Sequence, residues 1–236
     1  ILKLIKNKIT GTVCIIPARG GSKRIPFKNI KRFNGKPIIY YSIKSATISN
    51  LFDKVIVSTD NKKIANIAKK FGAETHIRSR QLADDKTDTP TVIRSVIKYL
   101  DKLNFSFNKV CCIYPTSVFF SQKDLHEGFK MLNARKNYIF SATKYEHPIY
   151  RSFYKKKGHL VTVFSSMQKK RTQDLPNTFY DAAQFYFGWK KSWMEKKKIF
   201  SGKSEFIEIP RSRSQDIDNI EDWKGAENLW KLNKKN

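Results

Sequence analysis

Short apolar runs alternate with segments of helical periodicity over the first 143 residues. Residues 12–17, 54–59 (KVIVST), 74–77, 110–114 (VCCIY) and 139–143 read as buried strands. Between them, Pro37 stands in the first turn of an expected helix that runs to about Ile48. Asp60 is placed to cap the next helix, in which Ile64, Ile67 and Ala68 share a face. Thr89-Pro90 opens a third, with Val92, Val96, Ile97 and Leu100 on one stripe. Ser121 and Asp124 have the spacing of a capping box for a fourth, to about Asn133. This alternation predicts parallel βαβ units in an open twisted sheet, an α/β fold. Such sheets bind ligands outside the carboxyl ends of their strands. Four segments fall there: the loop after the first strand, STD at 58–60, YPTS at 114–117 and TKYEHP at 143–148.

The alternation then breaks. Residues 144–175 are polar, basic and irregular, with strand-like patches such as LVTVF, and are expected to form an inserted lobe on a single domain. Regular sheet resumes over 178–189, and a last helix is expected over 219–232. Cys14, Cys111 and Cys112 lie in strand-like runs without metal-site spacing, which reads as buried thiols of a reducing cytoplasm. The opening ILKLIKNKIT has no apolar stretch of signal-peptide length, and no run approaches the roughly 18 apolar residues of a membrane span. Because the chain begins at Ile1 rather than Met, its natural start is expected to be missing or unusual.

Lys and Arg number 47 against 20 Asp and Glu, a net charge of +27. That balance fits a nucleic-acid binder or a solvated basic surface serving small anionic substrates. The aromatics are not interleaved with basic residues in any RNA-binding pattern, so no nucleic-acid partner is expected. The basic residues that matter most follow the first strand, in IIPARGGSKRIPFKNI (15–30). A Gly-rich loop leaving a strand can present main-chain N–H groups to phosphates, and Arg19, Lys23, Arg24 and Lys28 add charge. It lacks the GK[ST] of a Walker loop, the GxGxxG of a dinucleotide site and the GxGTR of sugar-1-phosphate nucleotidyltransferases. Carboxylates come from SQDIDNIED (214–222). On an extended segment Asp216 and Asp218 share a face and suit Mg²⁺ shared with substrate phosphates. For Asp218 a second reading stands beside this one, because D-N-I-E also has the pattern of a helix capping box. His147, in a loop at a strand's carboxyl end, reads either as a substrate contact or as a structural residue, whereas His76, His126 and His159 read as surface. Thr116 and Ser117 are expected to donate hydrogen bonds to a ligand, since no Ser-His-Asp constellation supports a nucleophile.

The loop, KVIVSTD, IRSRQLADDKTDT and QDIDNIEDW together resemble, in type and order, the sugar-acid cytidylyltransferases of the CMP-sialate synthetase family. Within that family Tyr114 before PTS, RTQDLPNTFYDAAQFYFG and RSRSQDIDNIEDW are similar to the pseudaminate branch, with Ala183 where Gly is usual and Phe187 where Trp is usual. The resemblance implies a Rossmann-like, mostly parallel sheet flanked by helices, with a small dimerisation lobe at 144–175. It implies transfer of CMP from CTP to a nonulosonic acid for surface glycan or flagellin glycosylation, with pseudaminate first and legionaminate, N-acetylneuraminate or a 3-deoxy-octulosonate as rivals. Ala18, Arg19, Gly20, Gly21, Ser22, Lys23 and Lys28 would hold the triphosphate, and Asn29 and Arg78 the nucleoside. Asp216 and Asp218 would hold Mg²⁺. Tyr114, Thr116, Ser117, His147, Gln184 and Tyr186 would face the sugar, and Arg171 would reach a neighbouring subunit's substrate in a homodimer.

Overall fold

The computed structural model describes residues 11–84 and 86–235. The opening ten residues, with the signal-peptide reading made on them, lie outside that range. The strands are β1 (Gly11–Pro17), β2 (Arg32–Phe33), β3 (Lys36–Pro37), β4 (Lys54–Thr59), β5 (Glu74–Ile77), β6 (Phe107–Ile113), β7 (Tyr138–Lys144), β8 (Phe153–Lys156), β9 (His159–Thr162), β10 (Phe179–Trp189) and β11 (Ser204–Glu208). The helices are α1 (Ile39–Ile48), α2 (Lys62–Lys70), α3 (Thr89–Lys102), α4 (Gln122–Met131), α5 (Lys190–Met194) and α6 (Ile220–Lys235).

Seven strands form one sheet in the order β11-β7-β10-β6-β1-β4-β5. All neighbours pair in parallel except β10, which runs antiparallel to both β6 and β7. The mostly parallel α/β sheet expected from the alternation is therefore present. Residues Val13, Cys14, Ile15 and Ile16 of β1 are all fully buried, as a central parallel strand covered on both faces requires. Their alternation splits the core. Cys14 and Ile16 pack with Ile39, Ile43, Ile64 and Leu125 of α1, α2 and α4, and Val13 and Ile15 pack with Ile93, Val96 and Trp193 of α3 and α5. The three cysteines are buried free thiols, and burial raises the pKa of each.

Several local expectations shift by a residue or two. The first helix starts at Ile39, because Asn34 and Gly35 (φ +42° and +85°) turn β2 back on β3 and take Pro37 into that hairpin. Asn61, not Asp60, caps α2, its side-chain oxygen accepting from the N–H groups of Lys63 and Ile64. Ser121 and Asp124 do form the capping box of α4. His76 and His126 are half-buried rather than on the surface; His76 Nδ1 lies 3.1 Å from the Ser58 hydroxyl. Neither β11 nor the reversed direction of β10 follows from the strand–helix alternation.

Between β7 and β10 the 144–175 segment forms a separate two-stranded sheet of β8 and β9, joined by short 3₁₀ turns. Where β10 re-enters the main sheet, its register with β7 breaks between Asp181 and Tyr186. Ala183 sits in this break at φ +51°, a left-handed conformation that costs a residue with a Cβ about 1 kcal/mol or more. A Gly at this place would relieve that strain. We expect Ala183→Gly to leave thermal stability unchanged or raise it, by up to about 1 kcal/mol in chemical denaturation. An ordinary strand Ala→Gly loses stability, and such a loss here would show that the position carries no strain.

Candidate active site

A cavity of about 540 Å³ opens at the carboxyl ends of β1, β5 and β6. One wall is the loop after β1, which contributes Arg19, Ser22, Lys23, Arg24, Lys28 and Asn29. Arg78 follows β5, and Tyr114, Pro115 and Thr116 follow β6. Asp216 and Asp218 close the cavity from the segment that leads into α6. Eleven of the residues singled out from the sequence thus meet in one place: Arg19, Ser22, Lys23, Arg24, Lys28, Asn29, Arg78, Tyr114, Thr116, Asp216 and Asp218.

The loop is braced from β4. The Ala18 N–H donates to the Ser58 carbonyl at 2.8 Å, and the Gly20 N–H donates to Asp60 Oδ1 at 2.9 Å. The Ser22 N–H donates to the Gly20 carbonyl. A Cβ on Gly20 would stand 2.8 Å from that of Asn61, so only glycine lets the loop lie this close. The placement of Ala18, Gly20 and Gly21 differs from the expectation that they face the triphosphate. Ala18 is fully buried, three N–H groups are committed internally, and neither Ala18, Gly20 nor Gly21 lines the cavity. What the loop presents is side-chain cations. Asn29 holds its shape, Nδ2 donating to the Arg19 carbonyl at 2.9 Å.

Arg78 is buried, with Nη2 donating to the Ser58 carbonyl at 2.8 Å and Nη1 to the Leu82 carbonyl at 3.2 Å. Its Nε is a buried donor with no acceptor. Burial lowers its pKa, with Asp60 opposing. Burial likewise pushes the Tyr114 phenol up to about 12; its hydroxyl lies 3.3 Å from the Thr89 hydroxyl.

On the acidic side, Asp218 Oδ1 lies 2.7 Å from Arg24 Nη2 and 3.6 Å from Lys28 Nζ. Lys28 Nζ also donates to the Ile217 carbonyl at 2.6 Å. Protein atoms desolvate the Asp216 carboxyl and Asp218 repels its charge; together they raise its pKa, with Lys28 opposing. The capping reading of Asp218 is overturned. Asn219 caps α6, accepting from the N–H groups of Glu221 and Asp222, and Asp222 reaches back to the N–H groups of Asp218 and Asn219. The box is N-I-E-D, one residue later than D-N-I-E, and the Asp218 carboxylate takes no part in it. Among the described residues no three His, Cys, Asp or Glu side chains form a metal cluster. A pair of carboxylates is still what Mg²⁺ accepts when phosphates and water complete its shell.

Besides Ala18, Gly20 and Gly21, five expected contacts do not line this cavity. Ser117 is buried, its hydroxyl donating to the Gln184 carbonyl at 3.0 Å. Gln184 is buried with Nε2 donating to the Arg213 carbonyl, and Tyr186 is buried with its hydroxyl donating to Asp181. His147 and Arg171 are exposed elsewhere, on the segment between β7 and β10. Conversely, Asp84, Thr87, Thr89 and Val92 line the cavity without having been singled out for it. Their signal was the dense run of small polar residues between a strand's carboxyl end and the start of α3.

Residues 13–229 match the family model described as cytidylyltransferase. A pseudaminic acid cytidylyltransferase of Campylobacter jejuni subsp. jejuni serotype O:2 is 40% identical over 224 residues, 94% of this chain and 97% of that one. A CMP-N,N'-diacetyllegionaminic acid synthase of Legionella pneumophila is 31% identical over 233 residues, covering 94% and 97%. Among solved structures, a CMP:2-keto-3-deoxy-manno-octonic acid synthetase complexed with CTP superposes with TM-score 0.71 at 12% identity, over 95% of this chain and 100% of that chain, a likeness of fold. A basic strand-end loop faces a paired carboxylate across one cavity, and the family model spans almost the whole sequence: the chain belongs to the cytidylyltransferase family.

Proposed function

We propose that the protein activates pseudaminate, converting CTP and the sugar acid to CMP-pseudaminate and pyrophosphate with the help of Mg²⁺. The observation that carries this reading is the meeting of the cationic loop with Asp216 and Asp218 in one cavity, in a chain 40% identical to a pseudaminic acid cytidylyltransferase. The legionaminic acid synthase is less similar, at 31%, so legionaminate is the less favoured acceptor.

Arg19, Ser22, Lys23 and Lys28 hold the triphosphate, and Asn29 and Arg78 border the nucleoside, where the unpaired Arg78 Nε offers a donor. Asp216 and Asp218 hold the metal, which when bound neutralises phosphate charge. The sugar's anomeric oxygen attacks the α-phosphorus in line, the bond to the bridging oxygen breaks, and pyrophosphate leaves on the basic side. The hydroxyl's proton passes to solvent. Phosphoryl chemistry of this kind asks the protein mainly for position and charge. The buried free thiols fit a cytoplasmic enzyme. Phe153 and Leu160, on the two strands of the small hairpin, are 63% and 62% exposed, and we assign this apolar face to a C2 homodimer. Arg171 then acts on the partner's substrate.

With CTP and Mg²⁺, pyrophosphate release should be fastest with pseudaminate in a panel with legionaminate, N-acetylneuraminate and a 3-deoxy-octulosonate. A different favourite would replace the acceptor, and no release with any would end the reading. Without ligand, Asp216→Asn should melt at or above the wild-type temperature because it relieves repulsion, and Asp218→Asn near it, since neither carboxylate caps α6 and the ion pair lost with Asp218 is an exposed one. Both should lose most activity, with part returning at raised Mg²⁺. Normal turnover at low Mg²⁺ in Asp218→Asn would move the metal elsewhere. Sedimentation at micromolar concentration should show a dimer; a fully active monomer would remove Arg171 from the reaction.

A further inference from the structure

A second cavity, of about 280 Å³, adjoins the first and shares Asp216 and Asp218 with it. A ligand in it therefore abuts the carboxylates that border the nucleotide cavity. Its remaining wall includes Asp181, Gln215 and Asp222. Asp222 is spent on main-chain N–H groups at the start of α6. Asp181 is held differently. Its Oδ1 accepts from the Ala183 N–H at 2.9 Å and its Oδ2 from the Tyr186 hydroxyl at 2.5 Å. Tyr186 is only 4% exposed and is packed by Tyr114 at 5.5 Å and Phe140 at 6.5 Å between ring centroids. One donor comes from the left-handed turn at Ala183 and the other from a phenol locked in the core. The carboxylate is thereby fixed in orientation while each oxygen keeps a lone pair for a further donor.

We propose that Asp181 is a specificity-determining residue of the acceptor site, accepting a hydrogen bond from a hydroxyl or acylamino N–H of the sugar acid, with Tyr186 as its positioning residue. The proposal rests on the sugar-acid reading given above. An ionised carboxylate accepts and cannot donate, so this wall selects for a donor and repels an anionic group. Among the described residues no Lys or Arg lines the cavity, so the acceptor's own carboxylate must point away from Asp181, which orients the sugar as well as selecting it. Sites built to pair a substrate donor reject analogues that lack it far more strongly than apolar pockets reject a missing methylene.

The test measures KM for CTP and for the acceptor separately, by pyrophosphate release from the full-length protein. Asp181→Asn keeps the shape but turns one acceptor atom into a donor. It should raise the acceptor KM about 10-fold or more while the KM for CTP stays within about 2-fold. Tyr186→Phe, which frees the carboxylate without removing it, should give a smaller rise in the same KM alone. Asp181→Ser serves as the second variant if Asn compromises folding, and the same split is expected. An unchanged acceptor KM in Asp181→Asn, or KM values for both substrates rising together, would overturn the proposal. If the wild type prefers a sugar other than pseudaminate, that reading falls while Asp181 is judged on the preferred sugar. If it uses no sugar at all, both fall.

Discussion

A small apolar cluster holds the two sides of the site together. Ile25 and Phe33, beyond the basic loop, pack with Val118 and Phe119 after β6 and with Ile217, Trp223 and Ala226 at the start of α6. Phe33 meets Trp223 edge to face at 5.6 Å. Ile217 is the pivot. It is fully buried, while Asp216 and Asp218 on either side of it line the cavity. Burial of such a side chain contributes about 1.5–3 kcal/mol. The ion pair from Arg24 to Asp218, with the Arg24 side chain 65% exposed, belongs to a class worth about 0–1 kcal/mol. Packing, not salt bridging, therefore brings the carboxylates to the cations.

The cations are placed with the same economy. Ser58, at the end of β4, accepts through one carbonyl from both the Ala18 N–H and the Arg78 guanidinium. One residue ahead of Asn61, Asp60 ties down Gly20. A parallel sheet supplies this arrangement directly, since β1, β4 and β5 all end at the same edge and in register. The loop is rigid where it touches the sheet and presents long side chains where it meets the cavity, which suits chemistry dominated by positioning.

What the sequence revealed and what it concealed follow from the range of the interactions involved. Buried runs such as 54–59 and the capping box at Ser121 are local, and both are where the spacing puts them. The cap expected at Asp60, and the one left as an alternative at Asp218, each lie one residue from the observed cap, between adjacent side chains of nearly equal capping strength. Only the helix phase decides between them, and that phase is set by tertiary packing. The cavity residues that were legible carry charge on loops at strand ends. Ser117, Gln184 and Tyr186 lie in the same motifs but face inward, because a turn or a strand sends neighbouring side chains in opposite directions. Asp181 was overlooked for the matching reason: its environment is made by the register break at Ala183 and by a phenol five residues on, neither of which spacing encodes.

The charge distribution then gives the reaction a direction. The nucleotide cavity is lined by Arg19, Lys23, Arg24, Lys28 and Arg78, and the adjoining cavity by Asp181, Asp216, Asp218 and Asp222, with the Asp216–Asp218 pair at the border. In the proposed reaction the triphosphate lies on the basic side, and the departing pyrophosphate remains there among cations that would stabilise it. In the proposed reaction a sugar on the other side meets acceptors for its hydroxyl and amide donors, but among the described residues no Lys or Arg lines that cavity to balance its carboxylate. In the proposed dimer the basic lobe of a second copy would add to the charge that Arg24 and Lys28 bring to Asp218 at the border. A bare acidic cavity is unfavourable for an anion entering alone; an acceptor that brings the required donors and finds the partner's cation offsets that repulsion. Assembly and acceptor choice then become two faces of one electrostatic requirement, set by carboxylates that this chain holds in place through Ile217 on one side and Tyr186 on the other.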